Sequence, residues 1–558
     1  MIKLEIHTDA DRRQNRFHVM KSDTEGQIMK LNQSRLLINC FSVFLVMLGL
    51  YFGWNTVMLH FGEFSPDSFS YYDIAQTIGK DFGRVSTIRQ YVLRSDYNCS
   101  FPYLYPLCIR LTDLLTGAGA AAGIWFDLAL MPLTALLFMR ISCCFTQDYF
   151  CGAAASFLTF LNPAYLQEVY AARSIPLSIL LTAAAVYTAI RLYQEQYRKK
   201  LCAVLLGFLA GLNWMNRFDE ISLAAFLVPV LLLTAPKQKR LQTVLLYTLG
   251  LLPVCLPWFI YSWVHFRTFC ISDNNGTMML VKPEVPSYVF LPDAENMSLR
   301  TAPGKWLSSR LDIAGKTLSA VFSDAVSALP VPLILAACGL AGCVRKYGRK
   351  MNAGDLKALL PSRKAFRIIG VILLYTAAKL MMYILVGYVE HRYYAELLAM
   401  MLFSLTVCIV LTFRDLFPAF TLPSLTGGAF LVLIQTMIPD CLMPMPVSDF
   451  PDLHEKYAWM DELESAMQKQ AAPGDSVLLA GYELNGFMYG AVTGRHTYVC
   501  PENSTAETLD YVTAQLVDAQ WIALSVKQAD GFREALASQY PETVFPEFYL
   551  YHITEKGN

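Results

Sequence analysis

A chain built from about eleven apolar blocks of roughly twenty residues has little choice of fold, because each block is long enough to cross a bilayer as a helix. The blocks centre near Met47, Met131, Phe157, Ala184, Leu206, Val228, Pro253, Leu335, Tyr375, Ser404 and Val432. In hydrocarbon every backbone N–H and C=O must be paired within the protein, and a helix does this within itself. Composition agrees. Of 558 residues, 55% are apolar and only 16% are charged, against about 25% charged in a soluble domain. The formal net charge is zero, so bulk charge suggests no nucleic-acid partner. The expected fold is therefore a polytopic α-helical membrane protein.

Orientation follows from Lys and Arg in the short loops. With the N-terminal tail, residues 1–35, in the cytoplasm, the inner segments collect Arg12, Arg13 and Lys21, then Arg198, Lys199 and Lys200, then KQKR ending at Arg240. The longest inner loop runs through Arg345, Lys346, Arg349, Lys350, Lys357, Arg363 and Lys364. The short outer loops carry one Arg each, at Arg173, Arg217 and Arg392. An odd number of crossings leaves the C-terminus outside. No cleavable leader is evident, so the first span is expected to stay as an anchor.

Two outer segments are long, about 60–119 and 265–326, and long loops usually carry function or fold separately. The first contains SYYDIAQTIGKDF and YLYPLCIRLTDLL, whose aromatic and aliphatic faces suit helices lying in the membrane interface or packed on the bundle. A membrane module over 36–440 is followed by a change of texture at 441–558. There DSVLLAG, HTYVC, WIALSV and FYLYHIT read as short buried strands, with AETLDYVTAQLVDA and DGFREALASQY as helices between them. That alternation predicts a small extracytoplasmic α/β domain. Of the cysteines, Cys99, Cys108, Cys270, Cys441 and Cys500 fall in outer segments; a disulfide among them is open, and its pairing does not follow from spacing.

With this topology the polar outliers share one side. Asp67 follows the first span, Glu168 the third, Arg217 the fifth, and Glu390, His391 and Arg392 the ninth. Ionisable groups at that depth are costly unless paired, solvated or used. Two acids with cations at an outer face suit transfer of a sugar from a lipid phosphate. A carboxylate takes the acceptor's proton as it attacks the anomeric carbon, and Arg neutralises the departing phosphate. A greasy groove would hold a prenyl tail. No P-loop or dinucleotide fingerprint is present.

FSPDSFSYYDIAQTIG followed by FPYLYPLCIRLTDLL resembles the first outer loop of the C-type glycosyltransferase superfamily, nearest to the protein O-mannosyltransferases and the lipid A aminoarabinose transferases. NPAYLQEVYAARSIPLSILL, AGLNWMNRFDEISLAAFLVPVLL and VEHRYYAELLAMM are similar to later segments of the same superfamily. Asn216-Arg217-Phe218 stands where relatives have Thr-Arg-Pro, and Arg392-Tyr393 lacks the Pro that usually follows. The resemblance implies an inverting membrane transferase of the cell envelope, working by glycosylation. Its donor would be a polyprenyl-phosphate sugar, hexosyl or pentosyl, and its acceptor an extracytoplasmic glycan, lipid or protein. Asp67 would be the general base and Glu168 the second acid. Arg217 and Arg392 would hold the phosphate, with Tyr71, Tyr72, His391 and Tyr393 around the substrate. No metal site is assigned, although in some relatives a divalent cation bridges acids to phosphate. A bacterial plasma membrane is the expected location.

Each residue has a plainer reading. Asp67 could cap the helix SFSYYDIAQ. Glu168 could simply pair with Arg173, and Arg217 with Asp219 or Glu220. Arg392 could snorkel, His391 could be a surface histidine, Tyr71 and Tyr72 could anchor at the interface, and Asp73 could be structural. Two other classes fit a polytopic chain with charges: a lipid or polysaccharide transporter or flippase, and an envelope-assembly scaffold. The first should show repeat symmetry and helices broken at mid-membrane, and no repeat is visible here. The second needs no acid pair.

Overall fold

The computed structural model describes residues 36–88, 97–98, 100–146, 149–194, 199–267, 299–328, 363–386, 391–412, 458–481, 486–500, 519–526 and 532–553. Among them, nine of the expected apolar centres fall on helices; those at Leu335 and Val432 lie outside the described residues. The helices are α1 (Leu36–Leu59), α4 (Ala122–Thr146), α5 (Phe150–Phe160), α7 (Ile175–Gln194), α8 (Lys199–Trp214), α9 (Ile221–Thr234), α10 (Arg240–Phe266), α12 (Arg363–Val386) and α13 (His391–Thr412). Among the described residues five spans, on α1, α4, α7, α10 and α12, are long and apolar enough to cross a membrane. Apolar side chains along α1 and α10, such as Val43, Met47, Leu245 and Leu249, stay exposed. This is an integral membrane protein whose outer surface is solvated by lipid.

Small residues bring the helices together. A methyl group at Gly207 would collide with the Tyr247 carbonyl, and one at Gly250 with the Val204 carbonyl. Glycine at these points therefore lets α8 and α10 meet backbone to backbone, as small residues do in membrane bundles.

The first outer segment forms α2 (Pro66–Thr77), β1 (Thr87–Ile88) and α3 (Leu104–Thr116). Helix α3 serves both expected roles. Tyr105, Pro106 and Ile109 are buried against the bundle, while Leu111, Leu114 and Leu115 are exposed and suit an interface. Helix α2 does not lie in the interface, because both its sides are covered. Tyr71 and Ala75 pack with α3 and α4, whereas Phe69 joins the core of the C-terminal sheet. Asp73 is structural, accepting from the Ser86 N–H at 2.7 Å. In the second outer segment, α11 (Pro303–Ala328) exposes Leu307, Leu311, Leu318 and Phe322 along one stripe.

The C-terminal region contains α14 (Ala458–Gln470), β2 (Val477–Ala480), α15 (Gly486–Thr493), β3 (Thr497–Cys500), β4 (Trp521–Ser525), α16 (Arg533–Gln539), β5 (Glu542–Val544) and β6 (Phe548–His552). All four expected strands are present. All of AETLDYVTAQLVDA but its last residue, Ala519, lies outside the described residues. The strand order is β1-β3-β2-β4-β6-β5. The first four strands run parallel, and β6 and β5 close the edge antiparallel. The outermost parallel strand, β1, comes from the loop after the first span, with Thr87 opposite Thr497. The sheet and α2 are thus built as one body. Cys108 is a free thiol; Cys99, Cys270 and Cys441, and the Cys500 side chain, lie outside the described residues.

Candidate active site

Helix α2 begins at Ser65-Pro66-Asp67-Ser68. Ser65 is the cap: its Oγ accepts from the Ser68 N–H at 3.3 Å, and Ser68 Oγ accepts from the Ser65 N–H at 3.0 Å. Pro66 sits in the first turn, where its missing N–H costs nothing. The expectation that Asp67 caps this helix is therefore corrected, because Ser65 already fills the role. Asp67 instead stands in the first turn, half-buried, where the helix dipole favours a negative charge.

The same turn is fastened to the segment after α5. Asn162 caps a short helix, α6 (Pro163–Tyr170), through the Tyr165 N–H at 3.1 Å. Glu168 lies on this helix rather than in a loop and is 1% exposed. Arg173 donates to it at 2.7 Å and to Ser65 Oγ at 2.8 Å. Ser68 Oγ donates to the Ala171 carbonyl. Glu168 is thus paired with Arg173, and that ion pair is tied directly to the cap of the Asp67 helix. Between them Ala172 holds a left-handed backbone at φ 52°, a conformation that costs a non-glycine residue about 1–2 kcal/mol. Such strain is often kept at functional turns.

The break between α8 and α9 arrives at the same place. Asn216 donates to the Ser174 carbonyl at 2.9 Å, and the Tyr71 and Ser174 hydroxyls lie 3.1 Å apart. Arg217 makes a forked pair with Asp219, at 3.0 and 3.2 Å, and its guanidinium stands 5.3 Å from the centre of the Tyr393 ring. Burial raises the Asp219 carboxyl, but the charges of Arg217 and Lys379 outweigh it and hold the group down at about 2. The Arg217 charge is therefore largely neutralised by a carboxylate, and only part of its donor fork remains for a ligand.

Two of the tyrosines are occupied. Tyr71 is 6% exposed, with its ring edge-on to Phe101 and Tyr105. This burial corrects the reading of Tyr71 as an interface anchor and leaves no open ring face for a sugar. Tyr72 is half-buried between the bundle and the C-terminal core. Tyr393 is half-buried beside Tyr383, with ring centres 5.3 Å apart. The side chains of His391 and Arg392 lie outside the described residues. Among the described residues, no group of three His, Cys, Asp or Glu could hold a metal ion.

Beneath this layer is a charged cluster that the sequence reading passed over. Lys379 is wholly buried and bridges Glu220 and Glu396, the latter at 2.6 Å. Ser178 Oγ lies 2.8 Å from Glu220 and 3.0 Å from Glu396, and can donate to one at a time. Thr182 donates to Glu396 at 2.9 Å, Asn213 to Glu220 at 3.0 Å and Tyr375 to Glu220 at 3.2 Å. Each of three elements feeds both layers. Asp219 and Glu220 are adjacent in the break, Lys379 and Tyr383 are one turn apart on α12, and Tyr393 and Glu396 are three apart on α13. Tyr383 closes the upper layer by donating to Asp219 at 2.8 Å. A lysine in the middle of an apolar helix was the available signal, since such a residue is rare without a partner. Asp127 on α4 is a second missed acid, fully buried and accepting from Tyr105 at 2.6 Å.

No protein-family model matches the chain, and no curated protein matches it. Solved structures do. The oligosaccharyltransferase AglB from Archaeoglobus fulgidus, in complex with an inhibitory peptide and a dolichol-phosphate, superposes with a TM-score of 0.51 at 13% identity. That overlay covers 92% of this chain and 74% of the other. The arabinofuranosyltransferase AftD from Mycobacteria gives 0.52 at 13% identity, over 92% of this chain and 41% of that longer one. The chain shares its fold with AglB and AftD. A looser overlay, at a TM-score of 0.43 and 14% identity, relates it to ArnT from Cupriavidus metallidurans over 93% of this chain and 99% of that one. Within this fold, the described site gathers the start of α2, the end of α6, the α8–α9 break and the start of α13 at one end of the bundle.

Proposed function

We propose that the protein is a membrane glycosyltransferase that moves a sugar from a polyprenyl-phosphate donor to an acceptor outside the cytoplasm. The observation that carries this reading is the convergence just described, within a fold shared with transferases of this class. The Asp67 turn is bonded to the Glu168–Arg173 pair, and the segment after that pair is bonded to the turn that holds Arg217 opposite Tyr393. AglB was solved with a dolichol-phosphate, which supports a lipid phosphate as the carrier.

In the proposed reaction the acceptor's hydroxyl loses its proton to the Asp67 carboxylate as its oxygen bonds to the anomeric carbon. The bond from that carbon to the phosphate oxygen breaks, and the prenyl phosphate leaves with both electrons. Attack from the face opposite the leaving group inverts the centre. Arg217, with Arg392 from the start of α13, offsets the charge that grows on the phosphate. Glu168, held by Arg173, would meet acceptor or sugar hydroxyls only if that pair opens. His391, Tyr72 and Tyr393 are the remaining proposed contacts to substrate. The Lys and Arg distribution supports placing this end of the bundle outside the cytoplasm; the proposed location is a bacterial plasma membrane.

The deciding experiment incubates purified protein with a panel of radiolabelled prenyl-phosphate sugars and follows release of free prenyl phosphate with added acceptors. Release that depends on acceptor supports the reading. Transport of intact donor lipid across vesicles without bond cleavage would replace it with the flippase alternative.

A further inference from the structure

The end of the bundle opposite the candidate site holds a cavity of about 970 Å³. It opens where α7 ends, α8 begins, α9 ends and α10 begins, and its walls also include Ile372 and Met400 from α12 and α13. Helix α8 separates this mouth from the Arg217 turn by its own length, about 24 Å at 1.5 Å per residue. Most of the lining is aliphatic, with Ala189, Leu227 and Leu231 among it. Among the described residues, the charged lining side chains are Lys199, Lys200 and Lys239, all at the mouth, and none is acidic. Inside, the cavity ends on Thr182 and Tyr375, whose hydroxyls bond to Glu396 and Glu220.

We propose that this cavity binds one anionic diacyl phospholipid from the leaflet facing away from the candidate active site. Charge and polarity fix the occupant. Three cations grouped at the rim match a phosphate-bearing headgroup, and an apolar interior behind them matches its chains. The donor's prenyl phosphate fits less well, because its phosphate belongs at the Arg217 end, beyond the buried Lys379 cluster. The position gives the lipid a consequence. Its chains would press on Thr182 and Tyr375, which anchor the two carboxylates beneath the site, so the opposite leaflet could tune the register of the Asp219–Arg217 turn. The binding claim rests on the proposed reaction only where it sets the prenyl phosphate aside.

The test reconstitutes the full chain in bilayers of equal parts phosphatidylglycerol and phosphatidylcholine, extracts it gently, and counts retained lipids by native mass spectrometry. One phosphatidylglycerol per chain is expected to be retained. The Lys199→Gln, Lys200→Gln, Lys239→Gln triple variant should lose that preference by on the order of 100-fold, at about 1 kcal/mol per surface cation. These exposed positions should not affect folding. Ala189→Trp, which fills the cavity, should abolish retention while the protein still elutes as a single symmetric peak. Equal retention of the two lipids, unchanged in the lysine triple variant, would overturn the proposal. So would replacement of the bound lipid by stoichiometric undecaprenyl phosphate in wild type, with none retained by Ala189→Trp, which would make the cavity a prenyl-tail site.

Discussion

Replacing Lys379 with Met should be among the most damaging single changes in the bundle. The side chain is fully buried, and both of its partners are carboxylates with less than 3% of their surface exposed. Four neutral donors, Ser178, Thr182, Asn213 and Tyr375, share the two acids. They can solvate one negative charge but not two at close range. Without the ammonium, either both acids stay charged in a medium of low dielectric or at least one must take up a proton. Removing one partner of a buried ion pair costs about 3–5 kcal/mol. The loss should appear as a large drop in the temperature at which detergent-solubilised protein stops eluting as a single peak. The control is the Glu220→Gln, Lys379→Met, Glu396→Gln triple variant, which keeps the shape and removes all three charges. It should recover most of the loss, since a neutral replacement of a buried ion cluster is often neutral or stabilising. A Lys379→Met protein as heat-resistant as wild type, or a triple variant no better than the single one, would refute the assignment of this cluster as a charge-balanced strut.

Asp67→Asn should lower turnover by roughly 10²–10⁴ with folding intact; wild-type release of prenyl phosphate by this variant would remove the base from the proposed mechanism. Arg217→Lys keeps the charge but loses the fork to Asp219, and should reduce kcat/KM by about tenfold or more in the same assay. Gly207→Ala must push α8 from the Tyr247 carbonyl and should cost about 1–3 kcal/mol, read from the same thermal elution. In the C-terminal domain, burial raises the Glu464 carboxyl, but hydrogen bonds from Arg495 and Tyr489 outweigh it and leave it below its usual range. Its folded value lies below the unfolded value of about 4.3, so its contribution is complete above that pH and is lost as pH falls through the lowered value. The pair is partly exposed, so the effect should be no more than about 1 kcal/mol; a Glu464→Gln variant should melt with a flatter acid limb between pH 5 and pH 3.

Apolar block length alone determined that this is a helical membrane protein, and most helix centres were readable because a bilayer demands about twenty apolar residues wherever the chain crosses. Alternation of short apolar runs also gave the four main strands of the C-terminal sheet. Asp67, Glu168, Arg217 and Tyr393 could be nominated because charge and aromatic residues stand out against lipid-facing sequence. What only the tertiary structure decided was pairing. Ser65 rather than Asp67 caps α2, because hydrogen bonding there turns on local backbone geometry. Arg217 chose Asp219 over its neighbour Glu220, because a 3₁₀ turn points the two acids to different layers. Strand β1 joined a sheet whose other strands lie several hundred residues later, and two β residues carry too little pattern to announce that. Lys379 and Glu396 stand in the sequence as single charges in apolar helices. They become a balanced cluster only when α12, α13 and the α8–α9 break are brought within hydrogen-bond reach, since Coulomb energy depends on distance in space and the sequence records only distance along the chain.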